Sequence, residues 1–204
     1  MVLDPQTPSQ YTFGGEVFYS NSFRNANFWI TQAHVRLLVN SDYDDQRLIR
    51  DIPSYSSPIE SGQFQICRLT GSYEPLVVPR ETVYEPLVGT LRRHGVVVSD
   101  VLAEYLQGAT LSNMTEETLN SLPSIQYFIQ TDQNLQVHLI TLTPREYIHP
   151  FMDEPDSGEY RLGIILQSSR TGVISMNAKI LKKLVIHFDA NTSKVGFGEP
   201  LVEL

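Results

Sequence analysis

The sequence predicts a mainly β protein, because its apolar residues fall in short runs that are rich in β-branched and aromatic side chains. The longest run, residues 28–39, begins with Phe28, Trp29 and Ile30 and alternates in part between apolar and polar side chains. Two further pairs of runs flank polar, turn-like segments, which is the pattern of a β-hairpin. These pairs are residues 125–130 with 136–142 and residues 184–189 with 194–198.

Shorter elements are expected between these strands. Proline or a capping side chain ahead of apolar residues predicts helices over residues 79–93 and 99–108. Pro86 and Gly89 are expected to bend or shorten the first of them. Further short elements are a helical turn within residues 115–122, another within 177–183, and strands at 64–67 and 161–167.

The chain is predicted to form one domain that follows a polar tail. Its 204 residues suit one domain or one large lobe, and a hydrophobic content of 41% allows a sizeable core. Residues 1–11 carry Pro5 and Pro8 among polar side chains, and are expected to be a tail or linker before a domain of residues 12–204. Residues 40–62 are rich in Asp, Ser and Pro, and are expected to form a long surface loop.

The composition also limits the classes of partner that the protein is expected to bind. A formal net charge of −8 argues against nucleic acid and anionic membrane surfaces as partners. No apolar run is long enough for a transmembrane helix, and the first residues lack the basic and then apolar pattern of a signal peptide. The single cysteine, Cys67, excludes an internal disulfide and leaves the compartment open. Two triplets match the N-glycosylation sequon, at Asn113 and Asn191.

Other site chemistries find little support in the residue pattern. The histidines are scattered, without the spacing of metal ligands. They are His34, His94, His138, His149 and His187. Cys67 lies in an apolar run, where a buried and unreactive thiol is expected instead of a nucleophile. Lys179, Lys182 and Lys183 are expected to form a solvated helix face instead of a binding patch. The sequence therefore predicts neither a metal nor a cofactor.

Four segments, taken in order, share their spacing with a known family. They are residues 13–15 with 28–30, the loop 69–72, residues 122–127 with 142–148, and residues 185–189 with 194–197. The last of them, Val-Ile-His-Phe-Asp followed after four residues by Lys-Val-Gly-Phe, matches without a gap and is the most specific. Together these segments resemble the C-terminal lobe of a pepsin-like aspartic peptidase.

The resemblance implies one lobe of the pepsin-like fold, an open antiparallel β lobe that is barrel-like and carries short helices. In that family each of two lobes contributes an aspartate, so that one carboxylate deprotonates water while the other, protonated, polarises the scissile carbonyl. At the aspartate position of the Asp-Thr-Gly loop this sequence has Leu69, followed by Thr70, Gly71 and Ser72. Leucine can neither exchange a proton nor hold a water molecule, so the lobe is expected to have no catalytic residue.

A second position departs from the family in the same direction. In the family an apolar-apolar-Gly triplet late in the lobe packs against the Asp-Thr-Gly loop. Counting back without gaps from the closing segment places Ser175, Met176 and Asn177 at this triplet. Asn177 then replaces the glycine, where close packing of the backbone is expected to disfavour a side chain.

Two functions are compatible with this pattern. In the favoured hypothesis the chain is a non-catalytic pepsin-like lobe that acts as a binding or structural component. It is expected to need a partner chain, a copy of itself or an N-terminal lobe, because an isolated lobe exposes an apolar sheet edge. The alternative is the C-terminal half of an active two-lobed aspartic endopeptidase, in which either Leu69 does not stand at the aspartate position or another acid replaces the aspartate. A third interpretation treats Leu69 as an interior residue of a β-domain unrelated to peptidases.

Overall fold

The protein is mainly β in the part of the chain that the computed structural model describes. That part comprises residues 17–21, 23–25, 28–38, 65–99, 108–130, 137–150, 159–167 and 172–198. The predicted tail 1–11, the first motif segment 13–15, the predicted loop 40–62 and all but the ends of the predicted helix 99–108 lie outside these residues. The division into a tail and a domain is therefore not described by the structure.

The described strands are short, apart from the third. They are β1 Phe18–Asn21, β2 Phe23–Asn25, β3 Phe28–Leu38, β4 Gln65–Leu69, β5 Leu76–Val78, β6 Val97–Val98, β7 Thr110–Ser112, β8 Ser124–Gln130, β9 Val137–Leu142, β10 Ile148–Pro150, β11 Tyr160–Leu162, β12 Ile164–Leu166, β13 Ile174–Met176, β14 Val185–Asp189 and β15 Lys194–Gly198. The α-helices are α1 Glu85–Arg93, α2 Glu116–Ser121, α3 Pro144–Tyr147 and α4 Ala178–Leu181. A π-helical turn, Arg80–Tyr84, precedes α1.

These strands form several separate sheets. The largest has six strands in the order β13-β4-β3-β8-β9, with β2 paired to β3. A three-stranded sheet has the order β1-β15-β14, a four-stranded sheet has the order β10-β11-β7-β6, and β5 pairs with β12. Most pairings are antiparallel, but β13 runs parallel to β4 and β12 runs parallel to β5. Within the described residues no sheet closes on itself to form a barrel.

Both predicted hairpins are present as strand pairs. β8 pairs antiparallel with β9 from Ile125 opposite Leu142 to Gln130 opposite Val137, although the turn between them lies outside the described residues. β14 pairs antiparallel with β15 from Val185 opposite Gly198 to Asp189 opposite Lys194. The strand predicted at 28–39 is also confirmed as β3, which lies between β4 and β8 in the six-stranded sheet.

The helix predicted at 79–93 is present but changes type along its length. In its first turn the Tyr84 amide donates to the Pro79 carbonyl at 3.1 Å, and the Glu85 amide donates to the Arg80 carbonyl. These bonds span five residues, as in a π-helix. Pro86 has no N–H to donate, and it falls at the start of α1, where that absence costs least. The helix continues past Pro86 and Gly89 to Arg93, and its type changes ahead of Pro86.

The strand predicted over residues 161–167 is wrong as a single element. Gly163 divides it into β11, which pairs antiparallel with β10, and β12, which pairs parallel with β5. The Gly163 amide donates to the Tyr147 carbonyl at 2.6 Å, and the Gly163 carbonyl accepts from the Leu76 amide at 2.9 Å. The chain changes sheets at this glycine because its two backbone groups bond to two different elements.

A continuous apolar core joins these sheets and includes two fully buried tyrosines whose hydroxyls are bonded. Tyr127 and Tyr147 are fully buried, and their hydroxyls donate to the Ser175 and Pro123 carbonyls. Trp29 is half-buried and packs on Phe188, with their ring centroids 5.0 Å apart. Among the described helices, none is both long and apolar enough to cross a membrane.

Candidate functional site

Leu69 ends β4 as a core residue. Its side chain is 5% exposed, and its backbone lies opposite Trp29 of β3 on one side and Met176 of β13 on the other. Side chains alternate between the two faces of β4, so Gln65, Cys67 and Leu69 lie on the same face. On this face Cys67 and Leu69 are buried, which favours continuing the strand as far as Leu69. Leu69 is therefore a packing residue at the junction of three strands.

The three residues after Leu69 form a loop whose polar groups bond to the loop itself and to β13 and α4. The Thr70 amide donates to the Met176 carbonyl at 2.9 Å, and the Thr70 and Ser72 hydroxyls share a hydrogen bond at 2.9 Å. The Ser72 carbonyl accepts from the Ala178 amide at 2.9 Å. Gly71 is exposed, and a Cβ added to it would meet no atom within 4 Å. We call residues 69–72 the Leu69 loop.

Asn177 is buried beside this loop and is held by both ends of its amide. It is 1% exposed and has an extended backbone at the N-cap of α4. Its Nδ2 donates to the Glu74 carbonyl at 2.7 Å, and its Oδ1 accepts from the Lys179 amide at 3.0 Å. The expected steric conflict at this position does not arise, because the side chain fills its site with two hydrogen bonds.

The structure thus brings the two departures from the family motif together. β13 runs parallel to β4, which places Met176 beside Leu69 and the next residue, Asn177, beside the loop. Glu74 is the one carboxylate between residues 65 and 79. Its side chain is 65% exposed and lies 3.8 Å from the Arg68 guanidinium. The Leu69 loop consequently offers hydroxyls and backbone groups, but no acid that could share a proton with a second carboxylate.

A cleft of about 210 Å³ adjoins Asn177 and gathers basic side chains. Its polar lining consists of Tyr73, Glu74, His149, Arg161, Asn177 and Lys179. We call it the basic cleft. His149 and Arg161 lie directly opposite each other on β10 and β11, and therefore on the same face of the sheet. The Lys179 Nζ contacts His149 Nε2 from α4.

The predicted solvated face of three lysines is not a single surface. Lys182 is exposed, but Lys179 is half-buried in the basic cleft. Lys183 donates to the Thr141 carbonyl at 2.8 Å and pairs with Glu146 at 2.6 Å. Each lysine has a different environment because α4 is only one turn long and three different segments surround it.

Burial and neighbouring charge alter the titration of the cleft residues. Burial, reinforced by the nearby Lys179 ammonium, lowers the pKa of His149 to about 4. Burial lowers the pKa of Lys179, and the Lys182 ammonium adds to this effect. At neutral pH the imidazole is therefore neutral and can accept a hydrogen bond from Lys179.

The remaining sequence-based candidates lie apart from these features. Cys67 is fully buried, and burial raises the pKa of its thiol, so the residue is unreactive in the folded protein. Asn113 is exposed with a φ of 64°, and Asn191 is exposed in the turn between β14 and β15. In the part of the chain that the structure describes, no three His, Cys, Asp or Glu side chains are grouped closely enough to hold a metal ion.

Comparison with known proteins identifies no family for this chain, so any assignment of its function depends on the residues described above. No protein-family model matches the chain, and a search of curated proteins gives no match.

Proposed function

We propose that this chain is a non-catalytic lobe, similar to the C-terminal lobe of pepsin-like aspartic peptidases, that acts as a binding or structural component. The observation that carries the proposal is the state of Leu69. By the resemblance it stands at the position of the catalytic aspartate, and it is 5% exposed in the core, beside a loop whose two hydroxyls bond to each other and whose Thr70 amide bonds to β13. A residue buried in this way contributes packing and no proton transfer.

The strand pairing supports the pepsin-like part of the proposal. The resemblance requires a late apolar triplet to pack against the loop at 69–72, although more than 100 residues separate the two segments. In the structure, residues 174–176 pair in parallel with residues 67–69, and Thr70 bonds to Met176. The closing segment, residues 185–189 with 194–197, also lies in an antiparallel strand pair, β14–β15.

The edge of the three-stranded sheet supports the binding part of the proposal. β14 ends the order β1-β15-β14 and pairs with β15 alone among the described strands. Its Val185, Ile186 and Phe188 are half-buried, so apolar surface remains next to backbone groups that no other described strand pairs with. An edge of this kind pairs readily with another strand. We therefore propose a protein partner: a separate chain, a second copy, or an N-terminal lobe.

The native mass of the protein purified from its source, with co-purifying chains identified by peptide sequencing, tests this partner. The proposal predicts recovery as a complex or a homodimer. Recovery of a monomer without any other lobe or chain contradicts the need for a partner. Recovery with a lobe that bears Asp-Thr-Gly, together with acid-dependent peptidolysis, favours the alternative of an active two-lobed endopeptidase.

A further inference from the structure

Three basic groups converge on the basic cleft from different parts of the fold. The direct pairing of His149 with Arg161 across β10 and β11 sets two side chains on one face. Lys179 reaches the same place from α4, where its Nζ contacts His149 Nε2. Such a cluster is unusual in a chain with a formal net charge of −8, since acidic residues outnumber basic ones.

Among the described residues, one carboxylate lines the cleft. It belongs to Glu74, whose side chain is 65% exposed and lies 3.8 Å from Arg68. Tyr73, which also lines the cleft, is 70% exposed. The charge of Glu74 is therefore shared with a guanidinium, Arg68, that does not line the cleft.

The local backbone geometry allows these basic groups to approach each other. A Cβ on Gly163 would lie 2.8 Å from His149 Nε2 and 2.9 Å from the Tyr147 carbonyl oxygen, so any side chain there would push the imidazole away. Asn177 fixes the start of α4 by accepting from the Lys179 amide. The position of Lys179 thus depends on a buried, fully bonded residue.

We propose that the basic cleft binds an oxyanion, the carboxylate or phosphate group of a ligand, through Lys179 and Arg161, beside the His149 imidazole. The cleft volume of about 210 Å³ corresponds to roughly seven waters at about 30 Å³ each, enough for the anionic group and a short substituent. Arginine presents a planar array of donors that matches both kinds of oxyanion, and lysine adds a mobile point charge. This inference does not depend on the resemblance to peptidases.

The titration of the cleft supports the same conclusion. The lowered pKa values of His149 and Lys179 arise from burial and from neighbouring positive charge. A bound anion counteracts these effects, so binding is expected to raise the pKa of His149. By linkage, the affinity for an anion of constant charge rises as the pH falls from neutral towards the pKa of His149. Among the described residues, the charged groups that line the cleft together with this imidazole are Lys179, Arg161 and Glu74.

Isothermal titration calorimetry of the full chain with sodium phosphate and with sodium acetate, at constant ionic strength set by sodium chloride, tests the proposal. We expect saturable binding at one site for at least one of the two anions. Tighter phosphate binding indicates a phosphate ligand, and tighter acetate binding indicates a carboxylate ligand. Absence of saturable binding to both overturns the proposal.

Matched variants locate the site. Lys179→Met is expected to weaken binding by about tenfold, because it removes one charge-assisted hydrogen bond. Lys182→Met removes the same charge from the exposed neighbour and is expected to leave the affinity within about twofold of the wild type. Lys179→Arg restores a positive donor and is expected to recover most of the affinity. Equal losses in Lys179→Met and Lys182→Met mean general charge attraction and overturn the proposal.

Nuclear magnetic resonance of the His149 ring measures the pKa of His149. This pKa would not change on anion binding if Lys179 had only a structural role. We expect the His149 pKa to rise when the tighter-binding anion saturates the wild type. His94 and His187, which lie outside the cleft lining, serve as internal controls. An unchanged His149 pKa under saturation, or an equal rise at all three histidines, contradicts the assignment of the cleft.

Discussion

The Leu69 loop and the basic cleft both adjoin Asn177, but they differ in how their polar groups are bonded. In the loop, the Thr70 and Ser72 hydroxyls bond to each other, and the Thr70 amide bonds to β13. In the cleft, Lys179 and His149 are held in contact beside an open volume and their pKa values are lowered. The loop is thus bonded within the fold, whereas the cleft holds two basic side chains whose charged forms are disfavoured by burial and by neighbouring positive charge.

This difference separates a structural region from a binding region. A buried polar group that is fully bonded costs stability when its partners are removed, because their hydrogen bonds are lost. Burial and neighbouring positive charge disfavour the charged form of a basic group. Replacing such a group therefore costs little stability and can even stabilise the fold. If the comparison is correct, substitutions in the loop and in the cleft should therefore affect stability differently.

The largest effect is expected for Leu69→Asp. This change removes a buried apolar side chain and places a carboxylate in the core, so we expect a loss of about 4 kcal/mol or more in the free energy of unfolding at pH 7. Burial raises the pKa of the new carboxyl in the folded state, so the loss should shrink as the pH falls and the group is protonated. Urea unfolding at neutral and acid pH measures both.

Leu69→Met provides the matched control, since it keeps the apolar volume and is expected to cost less than about 1.5 kcal/mol. If Leu69→Asp is as stable as Leu69→Met at pH 7, the position tolerates an ionised carboxylate. The interpretation of Leu69 as a packing residue would then be wrong.

The next largest effect is expected for Asn177→Ala. The substitution leaves the Glu74 carbonyl and the Lys179 amide without their side-chain partner, so we expect a loss of about 2–3 kcal/mol in the free energy of unfolding. Asn191→Ala, in the exposed turn, is the control and should change stability by less than about 0.5 kcal/mol. If the two substitutions have equal effects in urea unfolding, the hydrogen bonds of Asn177 do not stabilise the fold, and its structural role is contradicted.

A pH effect is expected from His149. Its folded pKa of about 4 lies below the value of 6.5 in the unfolded chain, so the folded state binds fewer protons between these values. The stability that this residue contributes is present above pH 6.5 and is lost as the pH falls through about 4. His149→Gln should therefore flatten the fall in stability over this range, as measured by thermal unfolding against pH. An identical pH profile would show that His149 does not titrate as described.

The smallest effect is expected for Lys179→Met. It removes a half-buried ammonium that lies beside another basic group, so we expect stability to change by less than about 0.5 kcal/mol or to increase slightly. Urea unfolding beside Asn177→Ala sharpens the comparison, because the two positions are only two residues apart. A loss as large as that of Asn177→Ala would mean that the cleft, too, is structural.

Local patterns made part of this fold predictable. The β14–β15 hairpin follows from alternating apolar residues on both sides of a polar turn, and the Asp189 carboxylate accepts from the Asn191 and Thr192 amides in that turn. The helix N-caps at Thr115 and Asn177 also lie within or beside the segments predicted to be helical. In each case the interactions that fix the element come from residues close in the chain.

Interactions between distant segments account for the features that the sequence did not predict. The break at Gly163 depends on partners in β5 and α3, and the parallel pairing of the short β13 with β4 joins segments about 100 residues apart. Lys179 was expected on a solvated face because its own helix suggests no partner, and its contact, His149, comes from β10. Composition could identify the basic residues, but not the cleft that joins them.

The most direct test of a non-catalytic Leu69 loop is a peptidase assay at acid pH on the protein purified from its source, together with any chain that remains bound. The assay measures cleavage of a denatured protein substrate with and without a statine-type inhibitor of aspartic peptidases. We predict no inhibitor-sensitive cleavage, because the loop supplies no carboxylate for the shared proton. Acid-dependent cleavage that the inhibitor blocks, and that is lost when this chain is removed, would contradict the account.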